Sequence, residues 1–291
     1  MTEATAVPVA VVMISLNESH NMEAVLDNLQ PWAQQIFLVD SYSADATVDI
    51  ALRRGVHVVQ RRFAGFGDQW NFALRELPIS LPWTMKLDPD ERLTPELKAS
   101  ITRAVSRAEA DAFTFDRRLW FMGKSLPIRQ RILRLWRTGS CRFSDVRVNE
   151  HPLIDGGRVA HLEGDLEHHD SPSLEHWYDK QNRYSTAEAL SIVEGAELSH
   201  TPKLLGSAIQ RRMWIKKHLH RLPLRFRALF LAHYLGQGAW KGGREGLIWA
   251  RLRAEVHRMI EYKVLEMSRA GQKASGVLKP TGQPDPRVPQ Y

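Results

Sequence analysis

Cysteine is almost missing: Cys141 is the only one in 291 residues. That excludes an intrachain disulfide framework and a cysteine-based zinc site, and it fits a reducing compartment. No stretch of about 18 uninterrupted apolar residues occurs, so a spanning helix is not expected. The opening MTEATAVPVAVVMISLNE has no basic segment ahead of its apolar run and is not expected to act as a signal peptide. The dinucleotide fingerprint G-x-G-x-x-G begins at Gly65 and Gly67 but fails at Trp70; the P-loop pattern and the G-x-S-x-G elbow do not occur. Dehydrogenases, P-loop NTPases and α/β-hydrolases therefore have no support. Helix-turn-helix, zinc-finger and RNP-like patterns are missing as well, which counts against nucleic-acid binding. Acidic residues are scarce in one region: residues 201–270 hold fifteen Lys and Arg, four Glu and no Asp. That stretch carries an excess of 11 positive charges against +7 for the whole chain, so the rest is mildly acidic. Such asymmetry points to an anionic surface as partner.

A hydrophobic fraction of 43% with 25% charged residues is that of a globular protein with a real core. The first ninety residues alternate between two periodicities. Val7–Ser15 is a β-branched apolar run of the kind a doubly covered parallel strand shows. Helical spacing follows from Met22 to Leu29. Ile36–Val39, His57–Gln60 and Trp83–Leu87 read as further strands, with helices over Ala46–Arg54, closed by Gly55, and Phe66–Leu77. Short connections between such elements mean βαβ units and a mostly parallel sheet. Farther on, Phe113–Phe115, Leu119–Phe121, Ile132–Trp136 and Glu163–His169 read as strands. Residues 174–198 read as helix, and 202–269 as helices broken by Pro223 and several glycines. The last twenty residues have little to pack and read as a disordered tail.

In open α/β sheets ligands bind beyond the carboxyl ends of the strands. Asp88 and Asp90, spaced i, i+2 after the fourth strand, can face one divalent cation, because Mg²⁺ and Mn²⁺ want oxygen ligands and share their sphere with phosphates. The alternative is an acidic turn ahead of the helix that Thr94-Pro95-Glu96 starts. Ser15-Leu16-Asn17-Glu18 ends the first strand and Asp40-Ser41-Tyr42-Ser43-Ala44-Asp45-Ala46-Thr47 the second. Helix capping accounts for Ser43–Thr47, whereas Asp40 stands where a ribose or base would lie. His168-His169-Asp170 is a further cluster. Adjacent strand residues point to opposite faces, so only one of the two histidines can join a metal site. Arg131 and Arg134 are spaced to meet a pyrophosphate or an anionic acceptor, or equally to pair with surface carboxylates.

Four ordered motifs together are more specific than any one. Asn17-Glu18, Asp40–Thr47, Gly67-Asp68-Gln69-Trp70-Asn71-Phe72-Ala73-Leu74 and Leu87-Asp88-Pro89-Asp90-Glu91 resemble glycosyltransferase family 2 in order and spacing. The similarity is strongest to the branch of lipopolysaccharide-core β-glucosyltransferases and exopolysaccharide glycosyltransferases. It extends to Arg131–Arg137, Val148-Asn149-Glu150, Leu166-Glu167-His168 and Asn182-Arg183-Tyr184-Ser185, covering about residues 7–190. Leu16, Pro89 and Asn149 depart from the pattern without removing a carboxylate.

The resemblance implies a GT-A fold and inverting transfer of a sugar from a nucleotide-diphosphate donor. It places Asn17, Glu18, Asp40 and Gln69 at the nucleoside, with Ser43 and Asn71 in the same nucleotide-sugar site. Asp88 would lie near ribose or metal, Asp90 would ligate Mn²⁺ or Mg²⁺, and His168 is the histidine it selects for the metal. Inversion needs a base on the far face of the sugar; Glu150 is the candidate, Asp145 the second, and Glu91 a support for the metal ligands. The expected layout is a catalytic domain over 1–200, a basic amphipathic helical segment over 201–270, and a tail over 271–291. Trp214, Trp240 and Trp249 among Arg and Lys suit an anionic bilayer surface, or else an ordinary helical subdomain with a basic face. The expected enzyme moves a hexose, foremost glucose from UDP-glucose, to a lipid-linked or lipopolysaccharide-core acceptor at the cytoplasmic face of the membrane. A non-catalytic module of the same fold that binds membrane or glycan, and a nucleic-acid binder, are the alternatives.

Overall fold

A computed structural model describes residues 6–144, 151–193, 205, 210 and 223–270. The first unit, within Met1–Pro172, holds ten strands and four helices among the described residues. In order these are β1 (Val7–Ser15), α1 (Ser19–Leu29), β2 (Ala33–Asp40), α2 (Thr47–Arg53), β3 (His57–Gln60), α3 (Phe66–Glu76) and β4 (Trp83–Lys86). There follow β5 (Glu91–Leu93), α4 (Pro95–Arg107), β6 (Ala112–Phe121), β7 (Lys124–Arg137), β8 (Cys141–Phe143), β9 (Pro152–Ile154) and β10 (Val159–His169). Eight strands form one sheet in the order β3-β2-β1-β4-β7-β6-β10-β5, and β8 and β9 form a separate hairpin. The expected α/β architecture is present, with parallel pairing through β3-β2-β1-β4 and mixed pairing beyond.

The continuous apolar run of β1 has a simple cause. Val9, Val11 and Met13 join a core with Met22, Leu26 and Leu29 of α1 and Leu97 and Ile101 of α4. Ala10 and Val12 join a second core on the other face with Trp70, Ala73 and Trp136. A strand covered on both sides cannot alternate apolar with polar.

Two sequence expectations change. The short strands at Phe113–Phe115 and Leu119–Phe121 are one strand, β6, and Ile132–Trp136 is the end of the fourteen-residue β7. Met122 and Gly123, both at positive φ (52° and 72°), make the two-residue turn between them. The charges that interrupt the apolar pattern are paired across strands. Arg118 and Arg129 both meet Asp165, at 3.0 and 2.7 Å, and Arg131 reaches Asp116 at 3.5 Å. At Gly164 (φ 99°) a Cβ would lie 2.4 Å from the backbone N of Leu97, so this glycine lets α4 close onto β10.

The second half of the sheet must curl. Five strands laid flat span about 19 Å at ~4.8 Å per gap. Yet β4 and β5, at positions four and eight of the order, are joined only by residues 87–90. That link is a tight turn, with Glu91 N–H donating to the Asp88 carbonyl at 2.9 Å. The Asp88–Asp90 turn is thus the seam of a closed curl.

The second unit, Ser173–Tyr291, contains α5 (Leu174–Val193) and α6 (Arg225–Leu231), a π-helical turn (Ala232–Gly236) and a 3₁₀ turn (Ala239–Gly242). The long α7 (Gly243–Ala270) is its last described element. Lys263 of α7 donates to Asn182 O at 2.8 Å, Ser185 Oγ at 2.9 Å and Thr186 Oγ1 at 2.7 Å, which gives the Asn182–Ser185 motif of α5 a packing role. Of the helices expected over 202–269, residues 211–222, with Trp214, lie outside the described residues, as does the tail over 271–291.

Candidate active site

The strand order reverses at β1: β2 and β3 lie to one side and β4 to the other. The loops leaving β1 and β4 therefore flank the switch point where α/β sheets bind ligands. The loop after β1 is locked to the loop after β2. Asn17 is left-handed (φ 57°), which asparagine tolerates. Its N–H donates to Ser43 Oγ at 2.8 Å, and its side-chain oxygen accepts from Ala44 N–H at 2.8 Å. The first backbone donors of α1 are capped from outside the helix: Glu18 N–H reaches Thr47 Oγ1 at 2.8 Å and Ser19 N–H reaches Asp45 Oδ2 at 3.0 Å. The capping expected of Ser43–Thr47 thus serves two helices.

Asp40 does not stand as expected. Its carboxylate is fully buried and accepts from Ser15 Oγ at 2.8 Å, Ser43 N–H at 2.8 Å, Ser43 Oγ, and Gln60 Nε2 at 3.2 Å. Four protein donors to this carboxylate pin the loop. Gln69, also fully buried, donates to Ser41 Oγ at 3.3 Å and accepts from Arg61 at 3.0 Å. Asn71 clasps the β8 backbone at both ends of its amide, donating to Phe143 O at 3.0 Å and accepting from Phe143 N–H at 2.8 Å. Asn17 and Tyr42 are among the exposed residues of these loops, with Ala44, Asp45 and Ala46.

Tyr42 was not singled out by the sequence. It is 53% exposed and holds φ 63°, a costly conformation for a bulky side chain and the kind of strain that collects at functional sites. Tyr42→Gly is expected to raise the unfolding free energy by about 0.5–1 kcal/mol by relieving that strain. Chemical denaturation of the two proteins checks it, and a destabilised variant would show that ring contacts outweigh the backbone.

Behind the seam lies a buried ionic knot. Arg134 donates at 2.7 Å to both Asp88 and Glu91. Glu91 is fully buried, accepts from Asp88 N–H at 3.0 Å and has Arg117 at 3.5 Å. Burial alone would raise the Asp88 pKa, but Arg134, Lys86 and Arg117 outweigh it and hold the carboxyl below its usual range. Arg134 is therefore committed inside the protein, whereas Arg131 is exposed and lies 3.5 Å from Asp116, in keeping with one of the two alternatives read for it. Arg92 ties the same turn to α1, donating to Pro89 O at 2.6 Å and Asn21 O at 3.0 Å. Lys86, buried at the end of β4, lies 4.4 Å over the Trp70 ring and 5.1 Å over Phe143. Sequence reading passed over Lys86, although a lysine closing the apolar strand Trp83-Thr84-Met85 beside two carboxylates was the available signal.

On the other side of the turn, ligand atoms of Asp90, His168 and Asp170 all lie within 4.8 Å of one another. His168 Nε2 is 3.3 Å from Asp90 and 3.8 Å from Asp170. Backbone pairing sets this up: His168 faces Glu91 in the β10–β5 register, and His169 N–H donates to Asp90 O at 2.8 Å. His169 points elsewhere, stacked on Trp120 at 4.7 Å, and burial lowers its pKa. Two carboxylate oxygens and one imidazole nitrogen suit a divalent cation and leave positions open for phosphate and water. Asp88 is not in this group; its charge is taken by Arg134. Glu150 and Asp145, with Val148 and Asn149, lie outside the described residues. The residues that flank them are paired, His151 N–H to Ser144 Oγ at 3.1 Å.

The fold is an α/β sheet of the kind that binds ligands at the carboxyl edge of its strands, and Asp90, His168 and Asp170 there form a cluster that could hold a cation. Residues 10–161 match the model of glycosyl transferase family 2, and the chain belongs to that family. It is a glycosyltransferase. The chain is 26% identical to the lipopolysaccharide core biosynthesis glycosyltransferase LpsC of Rhizobium meliloti over 84% of this chain and 86% of the relative. It is 23% identical to a glycosyltransferase of Rickettsia bellii over 86% and 85%. Among solved structures, the mannosyltransferase PcManGT from Pyrobaculum calidifontis, in complex with GDP-Man and Mn²⁺, aligns with a TM-score of 0.47 at 14% identity, over 90% and 88% of the two chains. Among the described residues no helix is long and apolar enough to cross a membrane.

Proposed function

We propose that the chain is a metal-dependent, inverting hexosyltransferase that moves glucose from UDP-glucose to a lipopolysaccharide-core or lipid-linked acceptor at the anionic surface of the cytoplasmic membrane. The observation that carries it is the Asp90–His168–Asp170 cluster at the switch point, beside the clasped loops of Asn17 and Tyr42. Asn17, Glu18 and Tyr42 offer the nucleoside its contacts. Asp90, His168 and Asp170 hold Mg²⁺ or Mn²⁺. When bound, the cation neutralises charge that builds on the leaving diphosphate. Lys86 and the Arg134 knot keep the turn that bears Asp90 in place. Glu150, or Asp145 in its stead, takes the proton of the acceptor hydroxyl. The lipopolysaccharide-core name of the Rhizobium relative supports the acceptor class, and the basic stretch 201–270 supports the membrane.

The test is a thermal shift of the full chain with UDP, GDP, CMP and dTDP, each with and without Mn²⁺. UDP with Mn²⁺ is expected to stabilise by about 2.7 kcal/mol at a hundred times its dissociation constant, and UDP alone by far less. Equal shifts with and without metal would remove the metal from the reading. No shift with any nucleotide at millimolar concentration would remove the donor site.

A further inference from the structure

The outward stripe of the segment 224–240 is mostly apolar. Through α6 and the π-helical turn the exposed positions include Leu224, Arg227, Ala228, Leu231, Ala232 and Leu235, spaced three or four apart along one face. Leu224 is 67%, Leu231 49% and Leu235 58% exposed, and Trp240 just beyond is 49% exposed. Neither α6 nor the π-helical turn buries a residue. The other side of α6 takes up charge: Arg225 pairs with Glu261, and Phe226 lies between the guanidinium groups of Arg225 and Arg258 at 4.8 and 4.7 Å. Leu229 and Phe230, half-buried, lie on that side too, so the segment carries apolar residues on both faces. A row of leucines with a tryptophan at its end is a surface made to be covered.

Charge decides what covers it. Arg227 and Lys241 flank the apolar row, both exposed, in a stretch with fifteen basic and four acidic residues. A second copy would bring the same positive charge to the contact, whereas an anionic bilayer offers apolar depth and phosphates together. Trp240, with the Lys241 ammonium 5.5 Å over its ring, has the aromatic body and polar neighbour that suit headgroup depth.

We propose that Leu224, Leu231, Leu235 and Trp240 insert among the headgroups of an anionic lipid surface, with Arg227 and Lys241 on the lipid phosphates. The proposal rests on the membrane part of the functional reading and supplies its contact surface. The experiment is co-sedimentation of the full chain with phosphatidylglycerol–phosphatidylcholine vesicles and with phosphatidylcholine vesicles. It compares wild type, Leu231→Glu/Leu235→Glu and Trp240→Ala, with the nucleotide thermal shift and light scattering run alongside. Wild type should bind the anionic vesicles and leave the neutral ones. The double variant should bind at least about tenfold more weakly and Trp240→Ala severalfold more weakly, both with wild-type melting and an unchanged UDP–Mn²⁺ shift. Vesicle binding by the double variant equal to wild type would overturn the proposal, as would wild type that ignores anionic vesicles. A wild-type dimer that the double variant splits would overturn it in favour of self-association. Failed vesicle binding with an intact nucleotide shift strikes the surface alone; a missing nucleotide shift in wild type strikes the transferase reading instead.

Discussion

Asp90→Ala is expected to lower sugar transfer by about 10²–10³-fold, the usual cost of removing one group that meets developing charge. The fold should survive. The contact that seats the turn on β10 is made by the Asp90 backbone, whose carbonyl accepts from His169 N–H at 2.8 Å, and alanine keeps it. Without metal the variant should melt near the wild-type temperature: it loses the Asp90 contact with His168 at 3.3 Å but also the charge that pushes up the pKa of neighbouring Asp88. With Mn²⁺ and UDP present wild type should melt higher, since only it retains all three residues of the cluster. Turnover of UDP-glucose and melting with and without metal are the measurements. Transfer within threefold of wild type would mean that Asp90 holds no cation needed for the reaction.

Arg134→Ala should damage the protein most. Its guanidinium is nearly inaccessible and donates to Asp88 and Glu91 at 2.7 Å each, and the Glu91 side chain has no exposed surface. Removing the arginine leaves a buried carboxylate with the Asp88 N–H at 3.0 Å and, as its nearest cation, Arg117 at 3.5 Å. Breaking a buried pair from one side costs about 3–5 kcal/mol, and at about 2–4 °C per kcal/mol the melting temperature should fall by roughly 6–20 °C. Replacing both partners, as Arg134→Met with Glu91→Leu, removes the stranded charge and should recover more than half of the loss. A single variant that loses less than about 1 kcal/mol would show that water reaches Glu91.

The two halves of the sheet were unequally legible. β1, β2 and β4 stood out because strands covered on both faces are unbroken apolar runs. β6 and β7 did not, because Asp116, Arg117, Arg118, Arg129 and Arg131 interrupt the pattern. Their partners on the neighbouring strands are known only once the strands are paired. The same limit applies at the site. The spacing of Asp88 and Asp90 after a buried strand marked the turn as chemical, and strand alternation said that only one of His168 and His169 could join it. The pairing of Arg134 with Glu91, 43 residues away, follows from the curl and from nothing local. Asp40 shows the converse: a polar residue at a strand end is visible in sequence, but the four donors that fill it are not. In the basic segment the net charge was plain. Which of its apolar residues face outward, Leu224, Leu231 and Leu235 among them, is known only from the fold.

The four residues that carry the chain from β4 to β5 act as a clasp on a hoop. Asp90 rides on the clasp, while His168 and Asp170 sit on and just beyond the strand to which β5 is fastened. A ligand that bridges them fastens the hoop at its one narrow join, so the tightness of the curl and the grip on the ligand are a single quantity felt from two ends. Loosening β10 anywhere along its length, at the Gly164 contact with α4 for instance, should weaken any ligand that bridges Asp90, His168 and Asp170.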